Sequence, residues 1–375
     1  MSVSINNQHI KVVVAMSGGV DSSVAATLLK EKGYDVTGIM LRLWSEPETE
    51  IVNRCCSPDA MTLARRVASR LNIPFYTVDA QDIFYSRVVQ YFINGYYRGI
   101  TPNPCIACNR YIRWEFLYNY ALTMGANYLA TGHYARVDRN EAGNYQLLKG
   151  VDSSKDQSYV LFMLGQEQLS HALFPLGEFL KTQVRQIAHE FDLPVADRSE
   201  SQDLCFLANS DVVGFLKRHA PQTVVPGPIL DETGKHLGEH MGLSFYTIGQ
   251  RKGLGISSPS PLYVLQKDFT QNALVVGKKE ELDQKYLIAQ HVTWVAGEPP
   301  SSDFDAQIKI RYKACGAIGK VTILEKDIVY VVFDQPIWGI TPGQAVVFYE
   351  SDVVLGGGII TDHVADGSPF VVESN

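Results

Sequence analysis

No apolar run in the sequence approaches the roughly 20 residues needed to cross a bilayer, so a helical membrane protein is excluded. The first residues, MSVSINNQHIK, have neither the apolar centre of a secretory signal nor the Arg-rich amphipathic character of a transit peptide, and a cytoplasmic protein is expected. No tract resembles collagen, a coiled coil or a disordered tail, and no 20-residue period marks a repeat array. Cysteine is scarce, with six in 375 residues. In a reducing compartment these are expected to be thiols, so closely spaced pairs point to metal binding or catalysis rather than to staples. Excess positive charge is also missing, the formal net charge being −7. That balance does not exclude RNA, because phosphate contacts depend on where basic groups cluster. Local clusters exist at Arg110/Arg113, Lys217/Arg218, Arg251/Lys252 and Lys309/Arg311/Lys313, although each alone reads as a solvated face.

What is present is a globular chain, 46% hydrophobic and long enough for two or three cores. Its first two hundred residues alternate apolar runs with helical periodicity. VVVAM, DVTGIMLRLW, IPFYTVDA and NYLATGHYARV read as strands, and VAATLLKEKGY, DAMTLARRVASRLN and DIFYSRVVQYFINGYY as helices between them. This order predicts a doubly wound parallel sheet of the α/β class with its ligand beyond the carboxyl ends of the strands. KTQVRQIAHEFDL and SDVVGFLKRHA add helices. From about residue 222 the chain turns rich in Gly and turn residues, and from about 287 short alternating segments predict a small β-barrel or sandwich.

SGGVDS, residues 17–22, sits between a buried-strand pattern and an amphipathic helix. Glycines there permit positive φ and close backbone approach, so successive N–H groups and a positive helix end can cradle an anion. A Walker loop would need a following Lys, and none is here. Ser17, Ser22 and Ser23 offer hydroxyls, and Asp21 is a carboxylate that could approach Mg2+. A ligand-free strand-to-helix turn is the bland alternative.

SGGVDS after an apolar strand resembles the pyrophosphatase loop of ATP-dependent enzymes that adenylate a substrate and release pyrophosphate. TPNPCIACNRYIRW, ATGHYAR, KDQSYVLF, SQDLCF, YTIGQRKGLGI, the Arg311–Tyr312 pair and TPGQAVVFY narrow this. Together, in this order and across nearly the whole chain, they resemble the tRNA-specific 2-thiouridylases that act on the wobble uridine. The resemblance implies an adenine nucleotide hydrolase-like pyrophosphatase-loop domain over residues 1–215, a central tRNA-contacting domain over 216–285 and a C-terminal β-barrel over 286–375.

It also implies roles. ATP would be held by Ala15, Met16, Ser17, Gly18, Gly19, Val20, Asp21 and Ser22, by the backbone of Met40, and by Gly132. The tRNA side would include Asn103, Pro104, Cys105, His133, Lys155, Asp156, Gln157, Arg311, Tyr312 and Gln344. Cys108 would be the first catalytic cysteine and Cys205 the bearer of a persulfide. Chemistry supplies an independent reason for two thiols. Replacing the C2 oxygen of uracil by sulfur needs that oxygen made a leaving group, a sulfur nucleophile, and a second thiol to release the product. The implied partners are the Lys, Glu and Gln acceptor tRNAs and a persulfide donor charged by a cysteine desulfurase, directly or through a relay protein.

The family pattern best known has an aspartate where this chain has Cys105. Cys105 could exchange a proton if its thiol were activated by Arg110. Alternatively, Cys105, Cys108 and Cys205 could hold an iron–sulfur cluster with one site open for a sulfide, or a structural zinc. Cys55, Cys56 and Cys315 are expected to be bystanders. Two rivals compete with the thiolase reading: an amidating synthetase with the same loop, which would leave the cysteines idle, and a non-enzymatic RNA-binding protein with a cysteine-held metal.

Overall fold

The structure, a computed structural model, describes residues 7, 9–46, 57–199, 204–207 and 211–361. Three sheets organise it. The first contains β1 (Lys11–Ala15), β2 (Asp35–Arg42), β3 (Phe75–Asp79), β4 (Tyr128–Ala130) and, after a hairpin that belongs elsewhere, β7 (Ala172–Leu173). All its pairings are parallel and the order is β3-β2-β1-β4-β7. The chain steps from β1 through β2 to β3 on one side and then returns to β4 on the other side of β1, so a topological switch point lies between β1 and β4. Val12, Val14, Val24, Val36 and Ala64 fill the core where the helices Val20–Glu31 and Pro58–Arg70 cover one face. The second of these helices is capped by Ser57, whose side chain accepts from the Ala60 amide at 3.2 Å, and carries Asp59 in its first turn.

One predicted strand is two. NYLATGHYARV divides at Thr131–Tyr134, and its second half becomes β5 (Ala135–Arg139), which forms a hairpin with β6 (Tyr145–Lys149). That hairpin leaves the parallel sheet and joins the C-terminal one. Gly132 marks the division: a Cβ there would lie 2.8 Å from the Ser22 amide nitrogen, so the backbone passes too close to the glycine loop for a side chain.

The second sheet, ordered β10-β11-β8-β9, is built from β8 (Gly227–Asp231), β9 (His236–His240), β10 (Tyr263–Asp268) and β11 (Ala273–Gly277). The third is the expected barrel. β12 (Asp283–Trp294), β13 (Asp303–Lys309), β14 (Ala317–Glu325), β15 (Ile328–Trp338), β16 (Ala345–Glu350) and β17 (Val353–Ile360) run in the order β12-β15-β14-β13-β16-β17 and close through β12–β17. Alternation places Leu287, Ile308, Val321, Val331, Phe333 and Phe348 inside it. β17 then pairs with β6 of the N-terminal hairpin, Val353 opposite Leu148 and Val354 opposite Leu147, so first and last parts of the chain share a sheet.

The predicted helix DIFYSRVVQYFINGYY forms over Gln81–Phe84 and Gln90–Tyr97 with a π-helical turn, Tyr85–Val89, between them. A longer π segment, Cys108–Leu117, follows the short helix Pro104–Ala107. Periodicity at 3.6 residues does not anticipate either one. Cys55 and Cys56 lie outside the described residues, and Cys315 is exposed. Among the described residues no helix is long and apolar enough to cross a membrane.

Candidate active site

The loop after β1 is braced from several directions. Gly18 has φ +70, and a Cβ there would stand 2.2 Å from the Ala60 carbonyl oxygen. The Ser22 hydroxyl receives the Ser17 amide at 3.1 Å and donates to the Gly19 carbonyl at 3.3 Å. Ser23 donates to the same carbonyl at 2.8 Å. Arg198 Nη1 donates to the Gly18 carbonyl at 2.5 Å. These bonds fix the shape of the loop through the Ser17 amide and the Gly18 and Gly19 carbonyls.

Asp21 does not stand alone. Its Oδ1 accepts from Lys181 Nζ at 2.6 Å and from the Tyr134 hydroxyl at 2.8 Å. Lys181, itself buried, opens the helix Lys181–Glu190, and its amide is held by Asp152 Oδ2 at 2.9 Å. A cation therefore reaches the glycine loop from 160 positions away in the chain. The sequence lacks a lysine at the Walker position, and folding brings one to this loop by another route.

Met40 is 1% exposed, and its neighbour Ile39 is the last residue of β2 opposite β1. From Met40 onward β2 keeps its β3 partner while its other side opens to the crevice beyond β1.

The first cysteine segment is built by capping. Asn103 accepts from the Ile106 amide at 3.4 Å and Pro104 takes the first helical position, where its missing N–H costs nothing. Cys105 is exposed on the first turn, whereas Cys108 is 6% exposed where the π segment begins. In a π-helix residues five apart are hydrogen-bonded neighbours, and this spacing sets Arg113 against Cys108. Arg113 Nη1 is 3.6 Å from the Cys108 sulfur and 3.0 Å from Asn109 Oδ1. A guanidinium there favours the thiolate, the nucleophilic form.

Arg113 also faces the loop after β4. His133 is buried, with Nδ1 2.7 Å from the Thr131 hydroxyl, and its pKa is pushed down to about 3 by burial and by the Arg113 charge. It is neutral at any working pH and cannot serve as a general base that titrates near 7. The unfolded chain binds a proton at this histidine below about pH 6.5 and the folded chain does not until about pH 3, so stability rises with pH across that window. The slope from this group is at most about 1.4 kcal/mol per pH unit. Urea unfolding from pH 7 to pH 4 is expected to show this loss in the natural chain and a shallower one in His133→Gln.

Cys205 belongs to the same side of the molecule. Phe206 is 2% exposed and sits among Phe92, Phe215 and Phe84 at ring separations of 5.3, 5.6 and 6.0 Å. This anchor packs Leu204 and Cys205 against the core cluster that contains Ala107, Cys108 and Ile112. The helix Val212–His219 that follows is fixed to the end of β2, where Glu46 accepts from Arg218 at 2.9 Å through both oxygens and lies 2.7 Å from His219 Nε2.

The barrel meets this edge along one seam. Gln344 Nε2 donates to the Thr101 carbonyl at 2.8 Å, and the Thr101 amide donates to the Pro342 carbonyl at 2.9 Å, just before Asn103 and Pro104. The Tyr312 hydroxyl lies 3.5 Å from the Lys155 carbonyl, and Gln157 Oε1 receives the Tyr134 amide at 3.0 Å. Arg311 Nη2 donates to the Gly339 carbonyl at 2.7 Å and to Thr341 Oγ1 at 3.0 Å. Asp156, expected on the tRNA side, is mostly enclosed. It is 7% exposed, accepts the Gly150 and Ser158 amides at 3.1 Å each, and pairs with Lys309 at 3.5 Å. Its carboxylate shapes the Lys155–Gln157 turn from inside.

The family described as tRNA methyl transferase HUP domain matches residues 10–209, more than half of the chain, and the companion PRC-barrel and aminomethyltransferase beta-barrel domains match 213–278 and 284–360. The tRNA-specific 2-thiouridylase MnmA of Natranaerobius thermophilus is 48% identical over 93% of this chain and 97% of its own length. The chain belongs to the tRNA-specific 2-thiouridylase family. Other 2-thiouridylases of this family agree: MnmA 2 of Thermoanaerobacter sp. is 48% identical over 96% of this chain and 99% of that protein, and MnmA of Clostridioides difficile is 44% identical over 93% and 98%. The cluster and zinc alternatives gain no support from the structure. Among the described residues no group of three or more His, Cys, Asp or Glu side chains is placed to hold a metal ion. Cys105 points to a different environment from buried Cys108. Lys181, Arg198, Arg113, Tyr134 and Phe206 touch or flank the candidate site residues and were missed as such by sequence reasoning. Only Arg113 and Phe206 carried a signal, by standing beside the cysteines.

Proposed function

We propose that this chain replaces the C2 oxygen of the wobble uridine of tRNA by sulfur, consuming ATP and releasing 2-thiouridine, AMP and pyrophosphate. The observation that supports this reading is that the Arg113-flanked Cys108 and the Cys205 beside Phe206 pack in one core cluster with Leu41 of β2, a strand of the sheet that carries the glycine loop.

ATP would lie across the switch point, with its phosphates on the backbone of residues 16–22, its adenine at the opening beside Met40, and Lys181 offsetting phosphate charge. Asp21 and the loop serines would offer oxygen ligands to a Mg2+ ion entering with ATP, which would offset the phosphate charge. Bound there, ATP supplies the AMP group that turns the uracil C2 oxygen into a leaving group. The persulfide of Cys205 delivers its outer sulfur to C2. Cys108, with the Arg113 guanidinium beside its sulfur, then attacks the Cys205 sulfur as thiolate, releases 2-thiouridine and leaves a Cys108–Cys205 disulfide. A wobble base is unpaired in its loop and can be extruded without breaking a helix pair. Lys155, Gln157, Arg311, Tyr312 and Gln344 would receive the anticodon loop along the seam. Acceptor tRNAs for Lys, Glu and Gln, a desulfurase-derived persulfide donor and a cytoplasmic location complete the proposal, with residues 1–215 as the ATP domain, 216–285 and 286–375 as its tRNA-gripping additions.

An amidating synthetase would not use the two thiols, and a metal-bearing RNA binder would consume no ATP. Incubation with ATP, unmodified tRNA and a persulfide donor, followed by mass spectrometry of the nucleosides, is expected to show 2-thiouridine with one AMP per sulfur. Unmodified uridine with AMP formation would favour the synthetase, and neither product would favour the binder.

A further inference from the structure

Each turnover in the reading above ends with a disulfide between Cys108 and Cys205, and Cys108 is 6% exposed. Thiol–disulfide exchange needs in-line access to a sulfur, so a bulky reductant attacks slowly a bond whose one sulfur, Cys108, is buried and whose other, Cys205, is only partly exposed. Cys105 offers a way out. It is exposed, and it stands three residues before Cys108 on one helical turn. Helix geometry sets about 5 Å between such Cα atoms, within the roughly 4.4–6.8 Å that a disulfide spans.

We propose that Cys105 takes over the disulfide and carries it to the surface. This rests on the sulfur-transfer reading and gives the third cysteine a task in it. The Cys105 thiolate attacks the Cys108 sulfur. The Cys108–Cys205 bond breaks, the Cys105–Cys108 bond forms, and the electron pair leaves on Cys205, which becomes a thiolate ready for the next persulfide sulfur. No net oxidation occurs in this exchange. A dithiol reductant then attacks the exposed Cys105 sulfur, and Cys108 leaves as thiolate. The Arg113 guanidinium, 3.6 Å from that sulfur, stabilises the charge it acquires. A more stable thiolate leaves faster. The second thiol of the reductant closes its own disulfide and frees Cys105, so two electrons pass from the dithiol to the pair. The arrangement grades the three thiols by burial: Cys108 is buried, Cys205 is partly exposed, and Cys105 meets the solvent.

The test uses the full chain loaded with persulfide, given ATP and tRNA for one turnover without reductant, then quenched with acid and alkylated. Peptide mapping is expected to find Cys105 linked to Cys108 and Cys205 alkylated. In Cys105→Ser the link should instead join Cys108 to Cys205. With dithiothreitol and persulfide supplied, later turnovers of Cys105→Ser should run roughly tenfold slower than its own first turnover. A natural chain that keeps the Cys108–Cys205 link after product forms, or a Cys105→Ser variant whose later turnovers match its first, overturns the inference. Absence of both thiolated nucleoside and any disulfide would sink the sulfur-transfer reading beneath it as well.

Discussion

Serine in place of Cys205 is expected to lower 2-thiouridine formation by roughly 10³-fold or more, because a hydroxyl forms no persulfide and Cys108, the thiol left beside it, serves release rather than sulfur delivery. The tRNA complex should still form. Phe206, not the thiol, fills the aromatic cage that holds this segment, so the substitution leaves its packing in place. Serine at Cys108 should also stop multiple turnover, but with a different trace: the tRNA is expected to remain joined through sulfur to Cys205, visible as a reductant-sensitive adduct on a denaturing gel. Arg113→Met should weaken this release step, since it removes the guanidinium beside the Cys108 sulfur. An adduct that appeared in Cys205→Ser and not in Cys108→Ser would reverse the assignment of the two thiols.

The second large effect is expected at Gly18. Alanine there must adopt φ +70 and place a Cβ 2.2 Å from a backbone oxygen of the neighbouring helix, neither of which a side-chain rotation can relieve. The loop would have to move off Ala60, taking its amides out of register with the phosphates. ATP affinity is expected to fall by roughly 100-fold, about 2.7 kcal/mol, and folding stability by about 1–3 kcal/mol. Gly19 is the comparison. Its φ is −93 and an added Cβ would meet only the Ser17 hydroxyl at 3.4 Å. Gly19→Ala should keep its stability within about 0.5 kcal/mol. Calorimetric titration with ATP and thermal unfolding read both quantities, and equal ATP binding by Gly18→Ala and the natural chain would mean that the loop is not the phosphate site.

The parallel sheet, the glycine loop and the closing barrel were legible because each follows from local pattern: continuous apolar runs, a strand–glycine–helix junction, strict alternation. Lys181 was not, because its partner Asp21 is far away in the chain and no periodicity links them. The break inside NYLATGHYARV was hidden for another reason. Apolar residues continue through it, and only the contact between Gly132 and the Ser22 amide shows why the chain must leave the sheet there. The π segment is invisible to any reading tuned to 3.6 residues per turn, yet it is what turns Arg113 toward Cys108. That the Asp156 carboxylate satisfies two buried amides was not legible either, because the polar stretch KDQS does not show which way its side chains turn.

Thr101, two residues before the cap that starts the cysteine helix, is tied to Pro342 and Gln344. A ribosome making this chain therefore completes both thiols long before it makes the groups that steady the first of them. Nascent or prematurely terminated chains would carry the sulfur chemistry in an unfinished setting, and competence to modify tRNA would arrive only as the final strands close.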